Sequence, residues 1–433
     1  MNDLQEQLAA LRERVARVHS RYSEKYAGRA APAPVTQVDL QNTDVIEAPE
    51  PHEHGLSGQV IETAHGCHFE SERLYQGHRR HGSADIGALS DLPHDLLHTI
   101  SDGEAPSVPP GEWAFLDTET TGLAGGSGTC AFLIGVGRIT PQGFHVRQFF
   151  MRDFAEETSQ LTALSEYLDQ FRVLITYNGR TFDQPLLETR YRLNRTQPPF
   201  SKLAHHLDLL YGARRLWKLR YESCRLVDLE TQVLGFEREG DVPGSLIPYL
   251  YFEYVRTRHG ARMQGVFEHN CLDILTLACL TGIVPYAFRD PGDCGPGLLK
   301  HGSEIVGIAR WVQQAGEFEQ ARTLLAKAME AGLPDDLMFR TLWDIAALDR
   351  KLGAETQSLA AWEDLGASRN PFRVRALEEL AKHHEHRAKN PGLALEYTRT
   401  ALEFEDTPEL RHREQRLQRR VSTAAKPTLR NQP

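Results

Sequence analysis

The residues of this chain whose types and spacing can do chemistry are its carboxylates. Asp117 and Glu119 sit one residue apart in Phe115-Leu116-Asp117-Thr118-Glu119-Thr120-Thr121-Gly122-Leu123, where an apolar run gives way to a glycine turn. On a strand, residues two apart point to the same face, so both charges enter one small volume. Two carboxylates about 4 Å apart repel by roughly 4 kcal/mol at an effective dielectric near 20, and a bound cation is the usual remedy. Asp183 closes a second run, Thr176-Tyr177-Asn178-Gly179-Arg180-Thr181-Phe182-Asp183, and Asp273 follows His269 by four positions in His269-Asn270-Cys271-Leu272-Asp273. Residues four apart share a helix face, so His269 and Asp273 point the same way. A histidine near pKa 6.5 can take a proton from water near neutral pH. The plainer reading, that His269 only hydrogen-bonds the scaffold or a phosphate, stays open.

These groups need elements to hold them. Trp113 to Leu116 reads as a buried strand, Cys130 to Gly137 as a second, and Phe144 to Phe150 as a third with period-two alternation. Short turns with Gly and Pro join them into an antiparallel meander. A helix is expected from Glu156 to Phe171, then a strand Val173–Tyr177, then the Asn178–Asp183 turn leading into a helix through Leu193. Three antiparallel strands, a helical crossover and a fourth strand parallel to the first would bring Asp183 beside Asp117. Ala204 to Leu210 reads as a fifth strand carrying Asp208, and helical patterns cover Leu226–Leu234, Ser245–Arg258 and Gly265–Val284.

Outside this region the signals are of other kinds. Leu4, Leu8, Leu11, Val15 and Val18 form the apolar seam of a helix over residues 1–25, either a self-associating coiled coil or a helix docked on its own protein. Residues 26–55 read as a flexible linker. The dense histidines between His52 and His98 lack the paired cysteine spacing of a zinc site, so they read as an irregular lead-in with Gln59–Thr63 as a short strand. Pro285 to Pro296 reads as a boundary. Beyond it, alanines at 321, 360 and 394 recur at spacings of 39 and 34 residues, near the tetratricopeptide period of about 34. The tail from Arg411 carries seven Arg or Lys against one Glu and reads as basic and disordered.

The chain of 433 residues exceeds a single core of about 300, so two folded domains are expected, at 56–290 and 298–405, with a basic tail at 406–433. A net charge of −10 argues against wholesale coating of nucleic acid, though a local basic channel is compatible with it. Six scattered cysteines without a CxxC pair suit a reducing, cytoplasmic setting. No secretory leader is visible at the start. The apolar stretch Ile274–Val284 is short of the roughly 20 residues that span a bilayer, so no membrane role is expected.

Taken together, the three acidic motifs resemble those of DEDD-superfamily 3′–5′ exonucleases, and most of all the YprB-like ribonuclease H-like family with a tetratricopeptide-like tail. The resemblance covers roughly residues 56–286 and rests chiefly on the first motif. It implies an α/β fold, a ribonuclease H-like mixed sheet flanked by helices, followed by an all-α helical-repeat domain. It further implies hydrolysis of phosphodiester bonds with two divalent cations, Mg²⁺ or Mn²⁺. In that scheme Asp117 touches both ions, Glu119 and Asp273 complete the site of one, Asp183 holds the other, and His269 is the base. Hard oxygen ligands suit these ions, and two of them about 4 Å apart stabilise attacking and leaving oxygens. One departure from the family pattern concerns His269. Histidine-type members place the base five residues before the last Asp and tyrosine-type members place a Tyr four before, whereas here a His stands four before.

Substrate contacts are expected from Thr118, Leu123 and Asn178. They are also expected from the run Arg214-Arg215-Leu216-Trp217-Lys218-Leu219-Arg220-Tyr221, which mixes cations and aromatics as single-strand channels do. An amphipathic helix with a wet arginine face reads the same way. Asp208 is a supporting carboxylate, and Asp241-Val242-Pro243-Gly244 reads as structural. The expected partner is single-stranded nucleic acid or its 3′ end. The alternatives are a nucleic-acid-binding or adaptor protein that recruits a protein partner through the repeats, or an endonuclease on the same fold.

Overall fold

The structure is a computed structural model that describes residues 56–122, 128–291, 299 and 301–424. The N-terminal helix and linker, with the expected self-association, lie outside the described residues, as do Leu123 and the glycine loop after it. By contacts the chain divides into two compact units: up to Gly212 with Ser223–Pro285, and Ala213–Glu222 with everything from Tyr286 on.

The first unit is built on a seven-stranded mixed sheet. Its strands are β1 (Gln59–Thr63), β2 (Gly66–Gln76), β5 (Trp113–Thr120), β6 (Ala131–Thr140), β7 (Gly143–Phe150), β8 (Val173–Thr176) and β9 (His205–Asp208), with β3 (Arg80–His81) and β4 (Ala84–Asp85) forming a separate two-residue ribbon. The order across the sheet is β1-β2-β7-β6-β5-β8-β9. β5, β6 and β7 form the expected meander, while β8 runs parallel to β5 with Phe115 opposite Ile175. This parallel step needs a crossover, supplied by helix α1 (Glu157–Leu168).

Both sheet faces are covered, which is why the strands read as near-continuous apolar runs. Ala114 and Leu116 pack beneath α1 and helix α2 (Asp183–Leu193), with Leu161, Leu164, Leu187 and Tyr191. On the other face Phe132, Phe150 and Phe69 meet helices of the late part of the unit through Tyr251, Val266 and Phe267. Those helices are α5 (Ile247–Thr257) and α6 (Met263–Thr281), which follow α3 (Leu209–Trp217) and the one-turn α4 (Leu226–Leu229).

Several expectations change here. Residues 66–76 are not an irregular lead-in but an eleven-residue strand paired along β7. Its buried face carries His68 and Glu70, whose mutual hydrogen bond of 2.9 Å and ion pair with Arg147 satisfy them. Polar residues on an inward face hid the strand's alternation. The histidines of this stretch are spent on separate partners: His68 bonds Ser159 and Glu70, and His81 bonds Glu230 and Thr276. Pro285 sits in the first turn of helix α7 (Val284–Arg289), where a missing N–H costs nothing, and the division between the two compact units falls directly after it. The run Met263–Arg289 is long and apolar enough to cross a membrane by length and composition, unlike the shorter stretch expected from sequence, yet 72% of its window is buried within the protein.

The second unit is helical: α8 (Gly302–Gln314), α9 (Phe318–Glu330), α10 (Asp335–Lys351), α11 (Glu355–Ala367), α12 (Arg373–His386), α13 (Pro391–Leu402) and α14 (Pro408–Ala424). They pair in sequence as hairpins. Of the three alanines at near-regular spacing, Ala321 and Ala394 are buried, but in the middle hairpin the buried alanine is Ala361, while Ala360 faces out. The tail is corrected too, since α14 is a packed helix that buries Leu410 and Leu417.

Candidate functional site

β5 delivers the first two carboxylates to one face. Phe115, Asp117 and Glu119 alternate with Leu116, Thr118 and Thr120, and because Leu116 packs beneath α1, Asp117 and Glu119 point to the side that α6 covers. There the Asn270 amide donates to Asp117 Oδ2 at 2.9 Å, and Gln148 donates to Asn270 Oδ1 at 2.9 Å. α6 can come this close only because Gly135 lies opposite Asp117 in the sheet register. A Cβ on Gly135 would stand 2.2 Å from Asn270 Oδ1 and 2.3 Å from Ile274 Cδ1.

Asp183 arrives from the other side of the strand end. It opens α2 after a turn in which Asn178 takes φ +68° and Asp208 accepts the backbone N–H of Asn178 at 2.7 Å and of Arg180 at 3.2 Å. Thr118, on the face opposite Asp117, donates its hydroxyl to Asp183 Oδ1. The left-handed backbone at Asn178 suits the short side chain of asparagine. Thus Asp208 acts through the turn, and Thr118 holds a carboxylate directly.

The four carboxylates are close enough to act on one another. Burial first, then the charges of Asp273, Glu119 and Asp183, push Asp117 well above the usual carboxylate range. Glu119 is pushed up to about 8, by burial first, against the pull of His269 and with the repulsion of Asp273, Asp183 and Asp241. Asp183 rises to about 6, mainly through burial, although the Thr118 hydroxyl opposes it. A pocket that raises three carboxylates is a pocket short of positive charge.

Part of that charge comes from a residue the sequence did not flag. Arg238, 4% exposed at its side chain, donates to Asp273 Oδ1 at 2.5 Å, to Glu230 at 2.6 Å and to Asp241 at 3.2 Å. Asp241 in turn accepts from His269 Nδ1 at 2.8 Å, leaving His269 Nε2 3.6 Å from Asp273 Oδ2. The expected His269–Asp273 face on one helix is therefore present, and Asp241 does more than shape a loop. Burial works against a charge on His269, but the bond to Asp241 and the charges of Asp273 and Glu119 prevail and raise it to about 9. Asn270 stood within the quoted motif, so adjacency could have found it. Arg238 lies 35 residues from Asp273 with no spacing signal.

Four hard oxygen donors from three separate elements fit Mg²⁺ or Mn²⁺ by chemistry. As the side chains stand, among the described residues no three His, Cys, Asp or Glu are arranged to hold an ion. Asp273 is engaged by Arg238 and Asp183 by Thr118, so a cation must displace at least the first of these contacts. The remaining expected contacts separate. Arg214 and Arg215 are exposed on the second unit's part of α3, whereas Trp217 is 3% exposed and so has no open ring face for a base.

Comparisons with known proteins agree with this fold. A sequence profile of the RNase H superfamily matches residues 114–284, the span from β5 to the first residue of α7. The uncharacterized protein YprB of Bacillus subtilis (strain 168) is 32% identical over 356 residues, covering 79% of this chain and 84% of its own.

Proposed function

This chain belongs to the family of YprB and carries an RNase H superfamily domain over residues 114–284, and from that premise we propose that it is a divalent-metal-dependent nuclease, a 3′–5′ exonuclease on single-stranded DNA or RNA. The observation that carries the reading is the gathering of Asp117, Glu119, Asp183 and Asp273 at the end of β5, where the charges of Asp273 and Asp183 bear on both Asp117 and Glu119 in a buried pocket. A surface group of acids has no physical reason to be assembled from a strand and two helices at that electrostatic cost.

Asp117, Glu119, Asp183 and Asp273 are the residues that would hold the cations, which when bound would supply charge at phosphate oxygens and a more acidic water. Around them the chain supplies orientation. Asn270 fixes one oxygen of Asp117, Thr118 fixes one of Asp183, and Asp241 keeps a proton on His269 Nδ1 so that Nε2, turned toward Asp273, is the atom that gains and loses the other proton.

The test is digestion of 5′-labelled linear and circular DNA and RNA with Mn²⁺ or Mg²⁺. Stepwise shortening of linear single strands is expected, with loss of at least 10³-fold in Asp117→Asn at unchanged circular dichroism. Cleavage of circles would move the reading to an endonuclease on the same site. No cleavage of any strand with either metal would overturn it.

A further inference from the structure

We propose that the helical unit carries a second contact for single-stranded nucleic acid, an arginine and aromatic patch laid across the first helices of three successive hairpins, α8, α10 and α12. This proposal deepens the nuclease reading of the first unit and rests on it for the choice of ligand. Trp343 of α10 and Phe372, at the start of α12, stack with ring centroids 5.7 Å apart and planes inclined by 19°. The Arg375 guanidinium lies 4.5 Å from the Trp343 centroid, and that of Arg340 lies 5.9 Å from Phe372. Arg340 and Arg310 both reach Asp344, at 3.2 Å and 3.9 Å, and Arg375 also acts on its charge. Three cations therefore share one carboxylate, in a protein whose overall charge is −10.

The groups are open to solvent where it matters. The Arg340 side chain is 53% exposed and that of Arg310 is 35% exposed, and both rings are partly exposed above the core of Ala346, Trp362 and Leu365. Guanidinium planes set against aromatic rings, with surplus positive charge, match a strand of stacked bases joined by phosphates. An acidic peptide would satisfy the charges but offers no flat group to lie on the exposed Arg340 and Arg375 guanidiniums beside the rings. In the run Arg214–Tyr221 the buried Trp217 cannot stack a base, although Arg220 lies 4.7 Å from the Tyr221 ring centroid.

The experiment measures anisotropy of 5′-fluorescein dT₂₀ and rU₂₀ on the full chain in EDTA, where binding is read without cleavage. Arg340→Gln/Arg375→Gln should weaken both about tenfold and lower the salt slope by roughly 1.4, two phosphate contacts on a single strand. A control with equal charge loss elsewhere on the unit, Lys389→Gln/Arg419→Gln, should change affinity less than twofold. Hydrolysis of a dinucleotide with Mn²⁺ reports the first unit separately and should be unchanged in both doubles. Equal losses in both doubles, no loss in the first, or tight binding of a fluorescein-labelled poly-Glu peptide abolished by the first double while the oligonucleotides are unaffected, would each overturn the patch. Failure of dinucleotide hydrolysis with intact oligonucleotide binding would instead count against the nuclease reading alone.

Discussion

His269 holds its proton because Asp241, Asp273 and Glu119 surround it, and Glu119 keeps its own because burial and three acids oppose its charge. Both groups bind protons more tightly folded than unfolded. For Glu119 the difference spans pH 4.5 to about 8, and for His269 it spans 6.5 to about 9. Where the native state binds more protons, stability falls as pH rises. The metal-free protein should therefore lose thermal stability between pH 6 and 9, and Mn²⁺ should restore it most at pH 9, where it no longer competes with protons. Melting curves in EDTA and in Mn²⁺ across that range check this. A flat apo profile, or equal stabilisation by Mn²⁺ at both ends, would count against a shared carboxylate pocket. Arg238 refines the expectation: Arg238→Met frees Asp273 from its competitor while leaving Glu230, 0% exposed, without its guanidinium. It should tighten Mn²⁺ binding while lowering the melting temperature, an opposition that calorimetric titration and melting together can read.

At the scale of elements, the site depends on how near α6 comes to the sheet. Gly135→Ala puts a Cβ 2.2 Å from Asn270 Oδ1, so the helix bearing His269 and Asp273 must move or the amide must turn away from Asp117. A cost of about 1–3 kcal/mol in urea unfolding is expected, with cleavage reduced beyond what the lost stability explains. Gly128→Ala, which meets nothing within 4 Å, should do neither. Gly135 also shows what could be read from the sequence. Strands β5 to β9 and the helices around them were legible because their apolar periods are regular; Asp117, Glu119 and Asp183 stood where such runs end or begin, and His269 and Asp273 stood a turn apart within one helix. The close approach at Gly135, the role of Arg238 and the strand Gly66–Gln76 were not. Each depends on a partner far away in the chain: Asn270 for the glycine, Asp273 for the arginine, Arg147 for the polar face of the strand.

For the whole molecule the same rule governs the C-terminus. Counted along the chain, the arginines from Arg411 onward look like an unfolded basic end, because their counter-charge is on another helix. Glu385 of α12, with a fully buried side chain, accepts from Arg413 at 3.0 Å, Arg416 at 2.8 Å and Arg420 at 3.1 Å, all on one face of α14. Burial opposes the charge of Glu385, but Arg416 and its neighbours prevail and hold it below the usual range. Its contribution is thus complete above pH 4.5 and is lost as pH falls through its lowered value. Glu385→Gln removes one carboxylate from beneath three guanidiniums, two of which reach solvent, so a loss of about 2–3 kcal/mol is expected rather than the full cost of an orphaned buried charge. Since the chain divides into two compact units, calorimetry should show that loss in one transition while the Mn²⁺-stabilised transition keeps its midpoint. A uniform shift of both transitions would mean that the two units unfold as one, and an unchanged thermogram would mean that α14 adds nothing to the fold.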